Sequence, residues 1–195
     1  MKVFALIGRT IINFLSIIGR LFIFTYKGVS SCFLRPYYLN ILGKQIVEIG
    51  YYSLPVVGLT TLFSGMVLAL QSYTGFARFS AEGAVATVVA LSITRELGPV
   101  LAGLMVAGRI GASIAAEIST MRVTDQIDAL ETLATDPYKY LVAPRIVASV
   151  LCLPFLVLVG DLIGIYGGYL VGIHKLGFNN TTYLTQTLMY LQPMD

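Results

Sequence analysis

Three long apolar runs, separated by polar stretches, set the pattern of this chain. The first run holds 22 consecutive uncharged positions, and a helix needs about 20 residues to cross the hydrocarbon core of a membrane. The connections at 71–82 and 174–195 are polar, and the second of them is also rich in aromatic residues. The pattern predicts an all-α integral membrane protein with three transmembrane helices, at about 49–70, 83–108 and 146–173.

The N-terminal region, residues 1–44, has a different pattern. Successive basic positions are 7, 11 and 7 residues apart, so that on a helix they point in nearly one direction; they are Lys2, Arg9, Arg20 and Lys27. Almost all other positions are apolar. A single basic stripe on an apolar helix favours an amphipathic helix lying in the membrane interface, with its cations at anionic headgroups. The alternative is a transmembrane helix that tolerates Arg20.

Composition agrees with a membrane protein. The chain of 195 residues is 56% hydrophobic and only 12% charged, against about 25% charged in a typical soluble domain. Its mean hydropathy is +0.81. The net charge of +3 does not indicate a nucleic-acid partner, because the N-terminal bases are embedded among Ile, Leu and Phe.

Two charged positions interrupt the second run and one interrupts the third. Arg95 and Glu96 lie at the midpoint of the second run, and Asp161 lies centrally in the third. A central charge costs roughly 2.5–3.5 kcal/mol on insertion scales, so it is expected to face a bundle interior or a wet cavity. We therefore predict a substrate path lined by these three residues, with an interhelical salt bridge that only locks packing as the alternative. Pro99 predicts a kink just after the pair.

Small residues recur every four positions after this pair, at Gly103, Ala107, Gly111 and Ala115. Such a stripe permits close helix contact, which holds helices together in lipid. The sequence leaves open whether its partner is in this chain or in a second copy.

A short amphipathic helix is predicted at residues 121–134. Four apolar residues share one face, namely Val123, Ile127, Leu130 and Ala134, while three acids lie opposite, namely Asp125, Asp128 and Glu131. Its spacing alone also fits an ordinary solvated loop helix.

Six bases precede the first span and four lie between the second and third spans, whereas the other two segments hold one each. The positive-inside rule therefore places the N-terminus and this helix in the cytoplasm.

Catalytic signatures are missing from the sequence. It contains no phosphate-binding loop of the G-x-x-x-x-G-K-[ST] type, no His/Cys cluster with metal-ligand spacing and no Ser-His pairing for a nucleophile. We expect this chain to catalyse nothing alone and to bind no cofactor or metal. Three classes of function remain: a membrane subunit driven by another protein, a proton- or ion-coupled secondary transporter, or a structural membrane scaffold.

Seven short segments carry a family resemblance: Arg95-Glu96-Leu97-Gly98-Pro99, Ala107-Gly108-Arg109, Ala116-Glu117-Ile118, Met121-Arg122-Val123-Thr124, Gln126-Ile127-Asp128-Ala129, Asp136-Pro137 and Pro144-Arg145. In this order they strongly resemble the MlaE/YrbE permeases, over about residues 45–175. These are membrane subunits of ABC transporters that work with MCE-domain proteins and move phospholipids between the inner and outer membranes.

The resemblance implies several further properties. It implies a homodimer in the bacterial inner membrane, a separate ATPase subunit that uses ATP, and a periplasmic MCE-protein ring. It places Arg95 and Glu96 near the lipid cavity and maps the ATPase coupling helix to about 117–133, with contacts from Glu117, Arg122, Asp125, Asp128 and Glu131. Because the family continues with two more spans, residues 45–195 are expected to form a partial, C-terminally truncated permease domain.

Overall fold

The computed structural model describes residues 2–33, 38–79 and 83–190, and within these residues every regular element is helical. The α-helices are α1 (Lys2–Cys32), α2 (Leu39–Gly50), α3 (Leu54–Phe76), α4 (Ala84–Ser92), α5 (Gly98–Val123), α6 (Gln126–Thr132), α7 (Ala143–His174) and α8 (Asn180–Tyr190). Short 3-10 turns join α2 to α3 and follow α3, at Tyr51–Ser53 and Ala77–Phe79. The prediction of an all-α membrane protein is confirmed.

Four helical runs in the described residues are long and apolar enough to cross a membrane, namely Gly8–Cys32, Leu39–Phe76, Ala84–Val123 and Tyr138–His174. The last three contain the three predicted spans. The first belongs to α1, whose length and composition also permit crossing. The interfacial placement of this helix therefore stays a prediction, with the transmembrane alternative still open.

The helix that contains the second predicted span continues beyond residue 108. α5 runs to Val123, so residues 117–123 of the predicted coupling helix extend α5 instead of opening a new helix. The break comes at Asp125, whose φ of 54° places it in the left-handed region, where a helix does not continue. The separate helix of this segment, α6, is only 7 residues long.

One π turn lies between α4 and α5 and a second precedes α7, and each ends two residues before a proline. The first, Ile93–Leu97, is closed by a bond from the Gly98 N–H to the Ile93 carbonyl and is followed by Pro99. The second, Tyr138–Val142, is closed in the same way by Ala143 and is followed by Pro144. A proline lacks an N–H and crowds the preceding turn, and π turns are a usual way to absorb such a break. A π turn thus ends just before Pro99, while the predicted kink itself stays a prediction.

Contacts divide the chain into two compact units. One comprises Met1–Gln45 with Ser119–Ala148, and the other comprises Ile46–Ile118 with Ser149–Asp195. In the first unit, α1 packs on the second π turn. A Cβ built on Gly28 would lie 3.2 Å from Val142 Cγ1, and the rings of Phe24 and Tyr138 are 5.9 Å apart.

The second unit is held together by close contact between α3 and α7. A Cβ on Gly65 would overlap the backbone of Gly164, and one on Gly167 would overlap the Leu62 carbonyl. Helices come this close only where glycine removes the side chain. Around this contact lies a core of buried apolar residues from α3, α4, the first π turn and α7, which includes Val57, Ala69, Val85, Val89, Ile93 and Leu156.

Candidate substrate path and coupling surface

The first π turn carries the predicted charged pair. Arg95 and Glu96 are both exposed on this turn, whereas Ile93 and Gly98 of the same segment are buried. The pair therefore lies on the outer side of the described fold, away from its own core. A charge at this depth in lipid is costly. The described chain does not itself enclose the pair, so the expected placement of the pair, facing a bundle interior or a wet cavity, stays a prediction.

Asp161 reaches the same turn from α7. A Cβ built on Gly98 would overlap Asp161 Oδ1, so the carboxylate fits against the backbone where a side chain is missing. This oxygen is buried and has no hydrogen-bond partner among the described residues. The structure thus brings one acid of the predicted path to the inner side of the turn whose outer side carries the other two charges.

Two arginines that the sequence analysis names only within the resemblance segments make contacts inside the fold. Arg109, half-buried on α5, donates a hydrogen bond from Nη1 to Ser53 Oγ over 2.9 Å. Arg145 is only 6% exposed, and its Nη1 donates to the Leu141 carbonyl over 3.1 Å. No pattern in the sequence analysis indicated either contact.

The four small residues Gly103, Ala107, Gly111 and Ala115 all lie on α5 and are called the α5 stripe; among the described residues, no neighbour occupies the space at its two glycines. A Cβ added at Gly103 or at Gly111 would meet no atom within 4 Å, and Ala107 and Ala115 are exposed. The stripe therefore does not pack against α3 or α7, whose contact uses their own glycines. Its predicted role in helix packing remains a prediction for a partner outside the described residues.

The predicted coupling segment is charged and exposed. Arg122 Nη1 forms an ion pair with Asp128 Oδ1, which bridges the end of α5 and α6, and Asp125 and Glu131 are also exposed. Two of the four predicted apolar-face residues, Ile127 and Leu130, are half-buried, while Val123 and Ala134 are exposed.

Large apolar side chains are exposed at both ends of α6. Val123 is 83% exposed and Leu133 is 75% exposed. Glu117, also exposed, belongs to the part of α5 in the second unit. Apolar residues beside a charged helix are typical of a docking surface, in which apolar anchors supply affinity and the charges select the partner.

Helix α8 adds a buried tyrosine to the second unit. Tyr183 is 3% exposed, and a Cβ on Gly172 would lie 2.8 Å from its ring. Burial raises the pKa of Tyr183 to about 12, because removal from water disfavours the phenolate.

Among the described residues, no three His, Cys, Asp or Glu side chains lie close enough together to hold a metal ion.

Comparison with known proteins agrees with the resemblance seen in the sequence. The family model for the permease MlaE matches residues 42–195. A probable ABC transporter permease protein of Rickettsia prowazekii is 60% identical over 195 residues, which is all of this chain and 75% of the relative.

More distant relatives match as well. The intermembrane phospholipid transport system permease protein MlaE of Haemophilus influenzae is 38% identical over 177 residues, 91% of this chain and 68% of the relative. The chloroplast protein trigalactosyldiacylglycerol 1 of Arabidopsis thaliana is 37% identical over 152 residues, 78% of this chain and 43% of the relative. On its residues, its helices and these matches, the chain belongs to the MlaE permease family.

Proposed function

We propose that this chain is the membrane subunit of an ABC transporter that moves phospholipid between the inner and outer membranes of a bacterium. The observation that carries the proposal is the family match over residues 42–195, together with a relative whose name describes intermembrane phospholipid transport. A separate subunit binds and hydrolyses ATP, and this chain converts that cycle into movement of lipid.

The ATPase subunit docks on the coupling segment. The ion pair of Arg122 with Asp128 fixes α6 to the end of α5, and the exposed Val123 and Leu133 flank it. A rigid, charged helix with apolar anchors at its ends is suited to a groove on another protein. Asp125 and Glu131 supply further negative charge that selects a partner with basic residues.

The lipid path is lined by the residues around the first π turn. Arg95 presents a guanidinium, which binds phosphate strongly in a site of low dielectric. Glu96 limits the net positive charge next to it, so that a bound lipid can be released. Asp161 holds the inner side of the turn against Gly98.

The assembly completes the path. A second copy of this chain covers the exposed Arg95 and Glu96 together with the α5 stripe, which removes their charges and small residues from direct contact with lipid tails. An MCE-domain protein receives the lipid on the periplasmic side. The complex lies in the inner membrane with its N-terminus and α6 in the cytoplasm, in agreement with the distribution of bases.

Charge reversal on α6 tests the docking surface. In the assembled transporter, we expect Asp128→Lys and Glu131→Lys to reduce co-purification of the ATPase subunit and ATP turnover by at least about fivefold, because a rim charge typically contributes about 1 kcal/mol to such a contact. Glu48→Lys, an equal change at an exposed position on α2, is the matched control. Normal docking and turnover in both α6 variants would refute the assignment and favour the scaffold or the ion-coupled alternative.

Truncation of the guanidinium tests the lipid path. We expect Arg95→Ala to lower phospholipid transfer about tenfold or more, through loss of a charge-assisted contact, while the complex still assembles. Transfer is measured between donor and acceptor vesicles, and assembly by co-purification. Loss of the folded complex instead of transfer would assign Arg95 to structure, and normal transfer by an assembled Arg95→Ala, Glu96→Ala variant would remove the pair from the path.

A further inference from the structure

Two adjoining spaces open between elements of the first unit. The larger is a groove of about 590 Å³ whose walls include Lys27, Ser31, Glu131 and Asp136. The smaller is a cavity of about 150 Å³, and Ser31 lines it as well. Because one residue forms part of both walls, the two spaces lie side by side.

The groove carries charges of both signs in fixed positions. Lys27 Nζ lies 5.7 Å from the centroid of the Tyr138 ring, within range of a cation–π contact. Asp136 Oδ1 accepts a hydrogen bond from the Tyr138 N–H over 2.9 Å. One tyrosine thus positions a cation and a carboxylate, and Glu131 adds a second carboxylate to the same groove.

The cavity is mainly apolar. Its walls include Leu39, Leu42 and Val147, with Cys32 at one side and Lys139 as the charged member. A space of about 150 Å³ has room for a small apolar group of about the size of benzene. A short length of an acyl chain has this size and character.

Together these spaces match an amphipathic molecule with both a negative and a positive group in its head. The helix that forms one wall, α1, has strongly exposed apolar side chains, with Phe22 72% exposed, so the molecules that meet it in a membrane are lipids. A purely anionic headgroup would face two uncompensated carboxylates. A primary ammonium offers three N–H donors to them, which a quaternary ammonium lacks.

We propose that the first unit binds one phospholipid whose headgroup carries a phosphate and a primary ammonium. The phosphate lies at Lys27, the ammonium lies at Glu131 and Asp136, and part of one acyl chain enters the cavity beside Cys32. The lipid holds α1 to the segment that follows α6. Its site consists entirely of residues of the first unit. It shares Glu131 with the proposed docking surface and otherwise does not depend on the proposed transport activity.

Protection of Cys32 from a small maleimide tests the proposal. The full chain in detergent micelles is labelled in the presence of short-chain phosphatidylethanolamine, phosphatidylglycerol or phosphatidylcholine at equal concentration, and peptide mass spectrometry separates Cys32 from the buried Cys152. We expect phosphatidylethanolamine to slow labelling of Cys32 at least about fivefold more than either other lipid, as the loss of one interfacial charge contact of about 1 kcal/mol predicts.

Two pairs of variants locate the headgroup. Lys27→Gln and Glu131→Gln are expected to weaken protection by phosphatidylethanolamine about fivefold each. Lys44→Gln and Glu48→Gln, which change exposed charges on α2 that line neither space, are expected to leave it unchanged. Equal weakening by the control pair would contradict the assigned contacts.

A cavity-filling variant, Val147→Phe, tests the acyl chain and should abolish protection. If this variant does not fold, the test rests on Lys27→Gln, which changes an exposed side chain and should weaken the protection of Cys32. Equal protection by all three lipids indicates an ordinary lipid shell and overturns the proposal. Stronger protection by phosphatidylglycerol, or no protection by any of the three lipids, overturns it as well.

Discussion

Two sets of regularly spaced small residues in this chain differ in what lies next to them. The glycines of α3 and α7 are in close contact with each other, whereas those of the α5 stripe have no neighbour within 4 Å of an added Cβ. Gly65 of α3 lies directly against the backbone of Gly164 on α7, where any side chain would overlap it. In the α5 stripe, Gly103 and Gly111 have no atom within 4 Å of an added Cβ. The difference teaches that spaced small residues permit a close approach without specifying which surface approaches. Substitution separates a filled contact from an open one.

The largest effect is expected at the filled contact. Gly65→Leu should lower the free energy of unfolding by about 3 kcal/mol or more, because backbone, which cannot move aside like a flexible side chain, occupies the space. The measurement is unfolding in mixed micelles of detergent and SDS. Gly75→Leu, on the same helix but with nothing within 4 Å, is the control. Comparable stability of the two variants would show that α3 and α7 do not meet at Gly65.

An intermediate effect is expected where the glycine face of α7 meets α8. The pKa of Tyr183 is about 12 in the folded chain and about 10 in an unfolded one. Between pH 10 and pH 12 the Tyr183 hydroxyl is deprotonated mainly in the unfolded form. The contribution of its burial to the free energy of unfolding is therefore fully present below pH 10 and decreases as the pH rises towards 12. Tyr183→Phe should make the pH dependence of unfolding shallower in this window.

The control for this experiment is Tyr166→Phe, at an exposed position on α7. This variant should leave the slope of the free energy of unfolding against pH, between pH 10 and 12, as it is in the original chain. If both phenylalanine variants give the same slope as the original, then Tyr183 is accessible to water and the contact of α8 with Gly168 and Gly172 is looser than the structure has it.

The smallest effect on stability is expected on the α5 stripe. Gly111→Leu should change the free energy of unfolding by less than about 1 kcal/mol, since no neighbour is displaced and a better helix former replaces glycine. The same variant should reduce association between copies, measured by cross-linking in membranes. A loss of stability as large as that of Gly65→Leu would place a partner for the stripe within the chain.

Local hydropathy was enough to predict the three long apolar helices and their rough positions, whereas α8 lies in a polar stretch where no helix was predicted. The second predicted span begins at 83 and the helix begins at Ala84; the third ends at 173 and the helix ends at His174. Pro99 indicated the interruption of the second helix. The predicted span ends at 108, whereas the helix continues as a polar, exposed part of α5 to Val123, because a hydropathy pattern registers the end of an apolar run even where the helical backbone goes on.

The sequence analysis predicted which residues form the candidate site but not how they are arranged in space. Arg95, Glu96 and Asp161 stood out because a charge in an apolar run is costly wherever it points. That Asp161 lies against Gly98 on the inner side of the π turn, while Arg95 and Glu96 lie on the outer side, depends on the rotation of α7 against α5. The periodicity of one helix contains no information about that rotation.

By itself, then, the sequence determined the membrane class, the helical content, the charged turn and the family, all of which follow from local composition or from matched positions. Only the tertiary structure decided that α3 and α7 use their glycines on each other while the α5 stripe stays open, and that Arg109 reaches Ser53. The physical reason is that helix partners are chosen by the fit of two surfaces, and each surface exists only when distant parts of the chain have folded together.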